Sequence, residues 1–197
     1  KKKDLDKAIA AFQEANKQDP KIFDGHYILG QLLGEKGKGD EAIAELAKAG
    51  ELNPDNLEVQ MNLARTFDKL NKFDEAVAAF EHAAKIKPNE AEVYVLIAKL
   101  QQKKKDKDKE YDAWDRAVKY DPRNVEAHLA LSWLALDKGQ FDKAEKGFQE
   151  AARKRTDDHM IYVGLGRIAV KREDYRRAME QYRRALPRRR LAGRGLP

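Results

Sequence analysis

The sequence contains no cysteine, which excludes disulfide bonds, a thiol nucleophile and every cysteine-based zinc site in these 197 residues. It has no run of about eighteen apolar residues, the length that a membrane-spanning helix needs, and its mean hydropathy is −0.83. The basic start at 1–3 is followed by no apolar signal region. We expect a cytoplasmic protein. A periplasmic protein is the alternative, because a fragment of a longer protein need not include the signal segment.

The positive net charge is concentrated at one end of the chain. The sequence has 40 Lys+Arg and 34 Asp+Glu. Residues 171–197 hold ten basic and three acidic residues, a net charge of +7, which leaves thirty basic and thirty-one acidic residues elsewhere, or −1. The body of the chain is therefore nearly neutral, and a pI of 9.3 is weak evidence that the fold itself binds nucleic acid.

Proline is scarce, with six residues in the whole chain, yet its placement reveals an internal repeat. Four prolines follow one another at intervals of 34 residues: Pro20, Pro54, Pro88 and Pro122. The next step falls on Thr156, where the proline is lost although other columns keep the frame. A fixed period of this length indicates stacked supersecondary units.

Three columns of side chains share the period. The first is alanine throughout: Ala15, Ala49, Ala83, Ala117, Ala151 and Ala185. Three places earlier the residues are large and apolar: Phe12, Leu46, Phe80, Trp114, Phe148 and Tyr182. Seven places before the alanines they are small with one exception: Ala8, Ala42, Ala76, Glu110, Ala144 and Ala178. Spacings of three and four predict one helix face, and small residues mark close helix packing.

The preceding segment of each unit predicts another helix. It carries an aliphatic column, Leu29, Leu63, Ile97, Leu131 and Leu165, followed directly by small residues, Gly30, Ala64, Ala98, Ser132 and Gly166. Each repeat thus predicts a helix, a short turn and a second helix that ends before proline. Asn56 and Asn124 are suitable N-caps for the helices that follow them.

The succession of Leu-Gly/Ala, Ala, aromatic, Ala and Pro at a 34-residue period resembles the tetratricopeptide repeat family over residues 4 to about 186. The resemblance implies an all-α fold, a right-handed superhelical solenoid of antiparallel helix pairs with about eleven helices. We expect a repeat array over 1–186, with half a repeat at 4–20 and full repeats that start near 23, 57, 91, 125 and 159. A basic tail or linker at 187–197 would follow it.

Residues 4–20 match only the second helix of a repeat. An amphipathic helix without its partner exposes an apolar face, so we expect the natural protein to continue N-terminally, in keeping with a start that is not Met. The same exposed face predicts self-association.

The turn at 101–110 departs from the pattern. It reads Gln-Gln-Lys-Lys-Lys-Asp-Lys-Asp-Lys-Glu, and it lacks the turn residue and following aromatic found at Asn71–Phe73 and Gly139–Phe141. The sequence predicts an atypical, very hydrophilic turn there, most simply a solvated one.

The resemblance implies that the first helix of each repeat lines a concave groove that binds a peptide or protein segment. Its fifth and ninth places would face the groove, and they supply the expected partner-binding residues: Tyr27, Met61, Arg65, Val95, Lys99, Leu129, Trp133, Val163 and Arg167. An apolar row at the fifth place is costly in water unless a partner covers it. The basic residues also admit a simpler interpretation, as last-turn cations that stabilise helix ends.

Trp133 is the most specific of these residues, because Trp114 falls in the packing column whereas Trp133 falls in the groove column. A groove-facing tryptophan is a natural anchor for a peptide, although it could instead pack against the neighbouring repeat. We expect a ligand with an apolar anchor near Trp133 and acidic groups near Arg65, Lys99 and Arg167.

The resemblance favours a protein-interaction scaffold or adaptor, within a multiprotein assembly, over an enzyme. The sequence has no His-Glu-x-x-His motif, glycine-rich phosphate loop or nucleophile elbow. His26 and His128 share a repeat place with Tyr94 and Tyr162, which indicates packing. We expect no metal, cofactor or small-molecule substrate, while a catalytic domain outside this chain, with the repeats as its recognition arm, stays open.

Binding of nucleic acid or an anionic surface is the competing hypothesis. Five arginines near the C-terminus could contact phosphates: Arg183, Arg184, Arg188, Arg189 and Arg190. No aromatic residue follows Tyr182 to stack on bases, so a protein partner is favoured.

Overall fold

The structure is a computed structural model that describes residues 2–186, without the side chains of residues 2 and 3. The predicted all-α fold is confirmed, because the described residues form eleven α-helices and no strand. The helices are α1 (Lys2–Gln18), α2 (Phe23–Glu35), α3 (Gly39–Leu52), α4 (Leu57–Lys69), α5 (Phe73–Ile86), α6 (Ala91–Lys104), α7 (Lys107–Tyr120), α8 (Val125–Asp137), α9 (Phe141–Lys154), α10 (His159–Lys171) and α11 (Tyr175–Ala185).

The even-numbered helices are the first helices of the repeats. They begin 34 residues apart, at Phe23, Leu57, Ala91, Val125 and His159. The chain divides into two compact units, Lys1–Arg116 and Ala117–Pro197, with the boundary inside α7. In the N-terminal unit, α1 to α6 pack in sequence order, and in the C-terminal unit α8 to α11 do the same. Each unit is therefore a short stack of helix pairs.

Both predicted N-caps are confirmed. The Asn56 side-chain oxygen accepts a hydrogen bond from the Val59 backbone N–H at 3.1 Å, and Asn124 accepts one from Ala127 at 2.9 Å. Asp158 caps α10 in the same way. Each cap satisfies one of the backbone donors that a helix start leaves unpaired, which fixes where the first helices begin.

The turn after the first helix has one conformation in every full repeat, and the prediction of an atypical turn after α6 was wrong. One residue per turn has a positive φ, and these residues are 34 apart: Gly37, Asn71, Lys105, Gly139 and Glu173. Lys105, with φ of 60°, occupies the place that glycine fills at Gly37 and Gly139. The repeat geometry dictates this conformation, because the chain must reverse between two packed helices whatever residue stands there.

The small and large columns pack against each other as predicted. Ala42, Ala76 and Ala144 are completely buried, as are the rings of Phe80 and Phe148. A β-carbon on Gly166 would lie 2.6 Å from the Tyr182 ring, so the small place in the first helix accommodates the large place in the second. Burial of one such aromatic side chain contributes about 3 kcal/mol.

The N-terminal half repeat does not expose the apolar face expected of it. Ile9 is buried, and Leu5 and Phe12 pack against the cluster that contains Leu29 and Leu33. No large hydrophobic residue of α1 is exposed among the described side chains, whereas most of the exposed ones belong to the last repeat: Met160, Val170, Tyr175, Met179, Tyr182 and Leu186. The premise for self-association through α1 was therefore wrong, because α1 buries its apolar side on α2 and α3.

Candidate partner-binding surface

In the C-terminal unit, the expected groove residues of α8 and α10 lie beside one another around Trp133. The indole packs edge-on against Phe148, with ring centroids 5.1 Å apart and an interplanar angle of 79°. The Arg167 guanidinium lies over the indole, 5.5 Å from its centroid. Trp133 is half-buried, so it both packs against its own repeat and presents part of its surface to solvent.

Apolar side chains continue this surface along α10. Met160, Val163, Arg167 and Val170 are spaced by three, four and three residues, which places them on one helix face. Met160 and Val170 are exposed, and Val163 and Leu129 are half-buried. We call the surface formed by Leu129, Trp133, Met160, Val163, Arg167 and Val170 the α8–α10 surface. Met160 and Val170 were not among the expected binding residues, although their helical spacing from Arg167 was visible in the sequence.

In the N-terminal unit, the expectation of an exposed apolar row was wrong. The side chains of Met61 and Val95 are 5% and 7% exposed, so they belong to the core. The reason is that the fifth place of one first helix also packs against neighbouring helices, which periodicity along one helix does not reveal. Tyr27 is half-buried and stacks on Phe23, with centroids 5.7 Å apart.

Polar contacts join the first helices of the N-terminal unit. Arg65 pairs with Glu92 at 3.1 Å, and Lys103 pairs with Asp68 at 2.5 Å. Lys99 is half-buried. These ion pairs are largely solvent-exposed, where each contributes about 1 kcal/mol or less. The first-helix face of this unit is thus polar and cross-linked, in contrast with the α8–α10 surface.

Burial raises the pKa of the Tyr27 hydroxyl, with a smaller contribution from the Glu58 carboxylate. The hydroxyl accepts a hydrogen bond from the Asn62 amide at 3.0 Å. Tyr27 therefore serves as a neutral link between α2 and α4, not as an acid or base.

The shared repeat place of the histidines is a structural one, as the sequence predicted. In four repeats its side chain binds the backbone carbonyl six residues earlier, at 2.9–3.0 Å, through His26, Tyr94, His128 and Tyr162. This hydrogen bond joins the first helix of a repeat to the loop that connects it to the preceding repeat. The repeat columns therefore predicted a structural role for these residues, but they did not predict the hydrogen bond to the backbone carbonyl.

His26 also lies beside a carboxylate of the following helix. Its Nδ1 lies 2.6 Å from Glu45 Oε2, and its Nε2 lies 3.0 Å from the Pro20 carbonyl oxygen. Burial alone would raise the pKa of Glu45, but hydrogen bonds from Lys48 and His26 outweigh it and hold that pKa below its usual value. The His26–Glu45 pair links α2 to α3 next to α1.

A periodic set of acidic residues escaped the sequence reasoning. The second residue of α3, α5, α7 and α9 is aspartate. Three of these aspartates bind a cation from the turn region of the next repeat: Lys72 to Asp40 at 2.7 Å, Arg172 to Asp142 at 2.5 Å, and Lys104 to Asp74. The 34-residue spacing of the aspartates was the available signal.

Glu145 of α9 binds two arginines of the last repeat, Arg172 at 2.5 Å and Arg177. Burial alone would raise its pKa, but hydrogen bonds from both arginines outweigh it and lower the pKa of Glu145. The cluster joins α9 to α10 and α11. The repeat place of Glu145 is held by Val77 in the second full repeat, so the ion-pair cluster stands where that repeat has an apolar side chain.

Within residues 2–186 no group of three or more His, Asp or Glu side chains is arranged to hold a metal ion. No helix in that range is long and apolar enough to cross a membrane. Of the arginines considered for phosphate contacts, Arg184 stacks on Tyr162, 4.7 Å from the ring centroid, and Arg183 is exposed. Arg188, Arg189 and Arg190 lie outside the described residues.

Two tetratricopeptide repeat models match the sequence, one over residues 33–100 and the other over residues 1–56, 112–159 and 129–194. The chain belongs to the tetratricopeptide repeat family. Repeats of this family are protein-interaction scaffolds and are typically non-catalytic. No curated protein matches the sequence.

Solved structures with the same fold share little sequence identity with the chain. YrrB, described as a tetratricopeptide repeat protein with an unusual peptide-binding site, superposes with a TM-score of 0.73 at 18% identity, over 89% of this chain and 90% of YrrB. MamA from Desulfovibrio magneticus RS-1 gives 0.66 at 18% identity, over 83% and 92%. Pseudomonas aeruginosa pilF gives 0.64 at 16%, over 91% and 82%.

Proposed function

We propose that the chain is an adaptor that holds a partner protein segment on the α8–α10 surface, with an apolar side chain of the partner against Trp133 and an acidic one at Arg167. The observation that carries the proposal is the position of the exposed Arg167 guanidinium over the half-buried indole of Trp133. A large aromatic beside an exposed cation is the combination that dominates binding energy at protein interfaces.

The apolar side chains around Trp133 support a protein partner. Met160 and Val170 are exposed on the same helix face, and contiguous apolar surface in water marks interaction sites. The unusual peptide-binding site described for YrrB supports a peptide partner by analogy. A phosphate backbone would gain little from the apolar residues, so the partner is a peptide with both apolar and acidic groups.

The N-terminal unit presents a different first-helix face and is expected to contribute less. Arg65 and Lys99 were candidates for acidic groups of the partner, but Arg65 already pairs with Glu92, while Met61 and Val95 are buried. An acidic ligand would have to displace Glu92 without gaining an exposed apolar anchor. We therefore assign the principal contact to α8 and α10.

The test uses the full chain with Trp114→Phe, which leaves Trp133 as the single tryptophan. Short synthetic peptides with one leucine or phenylalanine anchor, flanked by acidic, neutral or basic residues, are titrated while Trp133 fluorescence is recorded. We expect saturable binding of acidic-flanked peptides that Trp133→Phe weakens, with anisotropy of a labelled peptide as its readout. Equal affinity for basic-flanked peptides, or fluorescence that does not change, would reject the proposal.

A further inference from the structure

Three polar side chains meet where α1, α2 and α3 pack together in the N-terminal unit. Asn16 of α1 is 8% exposed and His26 of α2 is 3% exposed, while Glu45 of α3 is half-buried. Their polar atoms lie 2.6–3.4 Å apart, and all three residues line one cleft of about 410 Å³. We call them the Asn16–His26–Glu45 cluster.

The later repeats pack without such a cluster. The place of Asn16 holds a small or apolar residue in α3, α5, α7 and α9: Gly50, Ala84, Val118 and Ala152. The place of Glu45 holds these residues in α5, α7, α9 and α11: Ala79, Ala113, Gly147 and Gln181. Buried polar groups cost free energy unless they are paired, so the cluster is an addition to the first full repeat that the fold does not require.

Gly25 makes room for the Asn16 side chain. A β-carbon on Gly25 would lie 2.1 Å from Asn16 Oδ1, and the same place in the later repeats holds larger residues: Val59, Val93, Ala127 and Ile161. Asn16 Oδ1 is buried without a hydrogen-bond partner, which weakens the contact between α1 and α2. That contact therefore depends more strongly on the remaining hydrogen bonds of the cluster.

Both ring nitrogens of His26 face hydrogen-bond acceptors. Nδ1 lies 2.6 Å from Glu45 Oε2, and Nε2 lies 3.0 Å from the Pro20 carbonyl oxygen. A carboxylate and a carbonyl only accept, and only the doubly protonated imidazolium carries an N–H on each nitrogen. A bare Nδ1 could accept from the Asn16 amide, 3.2 Å away, yet it would face the Glu45 oxygen with no proton between them. Either neutral form of the ring therefore loses one of the two contacts.

Charged side chains face this region from each neighbouring element: Lys17 on α1, Asp19 and Lys21 in the connection, and Glu41, Glu45 and Lys48 on α3. From α4, Glu58 acts on the Tyr27 hydroxyl instead. Glu45 is the carboxylate in contact with the ring, and its other oxygen binds Lys48 at 2.8 Å. Burial opposes the ionisation of Glu45, but hydrogen bonds from Lys48 and His26 outweigh it and hold its pKa below the usual value. An ionised carboxylate beside the ring stabilises the imidazolium.

We propose that the Asn16–His26–Glu45 cluster is a pH-dependent switch that holds α1 on α2 and α3 while His26 carries both ring protons. Loss of one proton breaks the contact with Glu45 or the contact with the Pro20 carbonyl, and α1 then opens more readily. Its opening uncovers Leu29 and Leu33, which pack with Leu5 and Phe12 in the closed state. An apolar surface is thereby covered at acidic pH and exposed at alkaline pH. The switch shares no residue with the α8–α10 surface.

The test follows the ring protons of His26 and the hydrogen exchange of α1 amides in the full chain. Nitrogen NMR shifts of the His26 ring are recorded from about pH 5.5 to about pH 9.5, which spans the ordinary histidine titration. We expect both nitrogens to be protonated at the acidic end. As the ring loses a proton, protection of the α1 amides should fall by about tenfold or more after correction for the intrinsic rate, while protection in α4 changes by less than about twofold.

Three results of this titration would overturn the proposal. The first is a neutral His26 ring at about pH 5.5, and the second is a ring that keeps both protons at about pH 9.5. The third is protection of α1 that does not change when the ring loses its proton.

A double variant, His26→Tyr with Glu45→Gln, removes the titrating ring and keeps a combination that the fold accepts. Tyr162 and Gln181 occupy these places in the last repeat, where the Tyr162 hydroxyl donates to the Thr156 carbonyl at 2.9 Å. The double variant should hold α1 without the pH dependence. A pH dependence of α1 protection that persists in it would contradict the switch.

Glu45→Gln alone should move the midpoint of the pH dependence to lower pH by about one unit, because the imidazolium loses its carboxylate. Glu41→Gln is the matched control, since Glu41 lines the same cleft but pairs with Lys38 at 2.8 Å. It should leave the midpoint in place. Equal shifts in these two variants would overturn the assignment of Glu45 as the partner of the ring.

Discussion

Arg167 lies over the indole of Trp133, with its guanidinium carbon 5.5 Å from the ring centroid, and thereby links the first helices of two successive repeats. A cation over an indole contributes about 0.5–1 kcal/mol at an exposed site and more when water is excluded. The same contact therefore positions the tryptophan in the free protein and strengthens if a partner covers it.

Glu110 should destabilise the N-terminal unit at neutral pH. It occupies a column that is otherwise alanine and is 6% exposed. Burial raises its pKa, and hydrogen bonds from Trp114 and Gln102 together with the Lys107 charge offset this only partly. Because the folded-state pKa exceeds the unfolded value, stability is fully present at acidic pH and falls as pH rises through the folded pKa.

Glu110→Gln removes the charge and should stabilise the protein by about 1 kcal/mol at pH 7 in urea unfolding. Its advantage should vanish below the ordinary glutamate pKa. Glu81→Gln, on the exposed face of α5, is the control and should change little. A Glu110→Gln protein that is less stable than the parent at pH 7 would contradict the burial argument.

Glu145 has the opposite pH behaviour. Its pKa is lowered by Arg172 and Arg177 despite partial burial, so its stabilisation is present at neutral pH and is lost as pH falls through the folded pKa. Glu145→Gln should cost about 1–2 kcal/mol at pH 7, a figure reduced for the solvent exposure of both arginines.

The measurement is thermal unfolding of Glu145→Gln across acidic and neutral pH. Glu150→Gln, which removes an i,i+3 pair with Arg153 on the same helix, should cost less than half as much. Equal losses for the two variants would refute a special role for the Glu145 cluster.

Glycine should stabilise the protein where a residue with a β-carbon holds the left-handed position of the turn. Lys105 and Glu173 have φ of 60° and 61°, a conformation that costs a residue with a β-carbon about 1 kcal/mol. Lys105→Gly and Glu173→Gly should each raise the free energy of unfolding by about 0.5–1 kcal/mol. Conversely, Gly139→Ala should lower it by about 1 kcal/mol, and Gln31→Gly, at an exposed interior position of α2, should be destabilising as a control. Loss of stability on Lys105→Gly would show that the left-handed turn is not formed.

Gly30 and Gly166 share a repeat place, yet alanine should have different effects at the two. At Gly30 the new β-carbon would lie 2.7 Å from Leu46, which is buried and fixed. At Gly166 it would lie 2.6 Å from the ring of Tyr182, which is 36% exposed and therefore has room to shift. Gly30→Ala should cost about 1–2 kcal/mol in urea unfolding, whereas the gain in helix propensity should leave Gly166→Ala close to neutral. A reversed order of the two costs would contradict this packing.

The sequence predicted the repeat frame well because the information is local and periodic. Asn56 and Asn124 cap the helices they precede, and the alanine and aromatic columns pack on each other, since these features depend on residue type at a fixed spacing. The positive φ at Lys105 was missed because that residue is not a typical turn former, and the repeat geometry overrides its preference.

The candidate site was less accessible to sequence reasoning. The fifth place of the first helix appeared to be one surface, but Met61 and Val95 are buried while Leu129 and Val163 are partly exposed. The difference depends on contacts between helices, which one helix's periodicity does not contain. For the same reason, the contact of Arg167 with Trp133 and the exposure of Met179 became visible only in three dimensions.

The most direct test of the adaptor proposal compares charge reversal at two arginines that occupy the same repeat place. Arg167→Glu and Arg65→Glu are introduced separately, and affinity for the acidic-flanked peptide is measured by Trp133 fluorescence in the Trp114→Phe background. We predict that Arg167→Glu weakens binding at least tenfold and that Arg65→Glu changes it by less than about twofold. Equal effects of the two reversals, or full affinity in Arg167→Glu, would contradict a binding surface on α8 and α10.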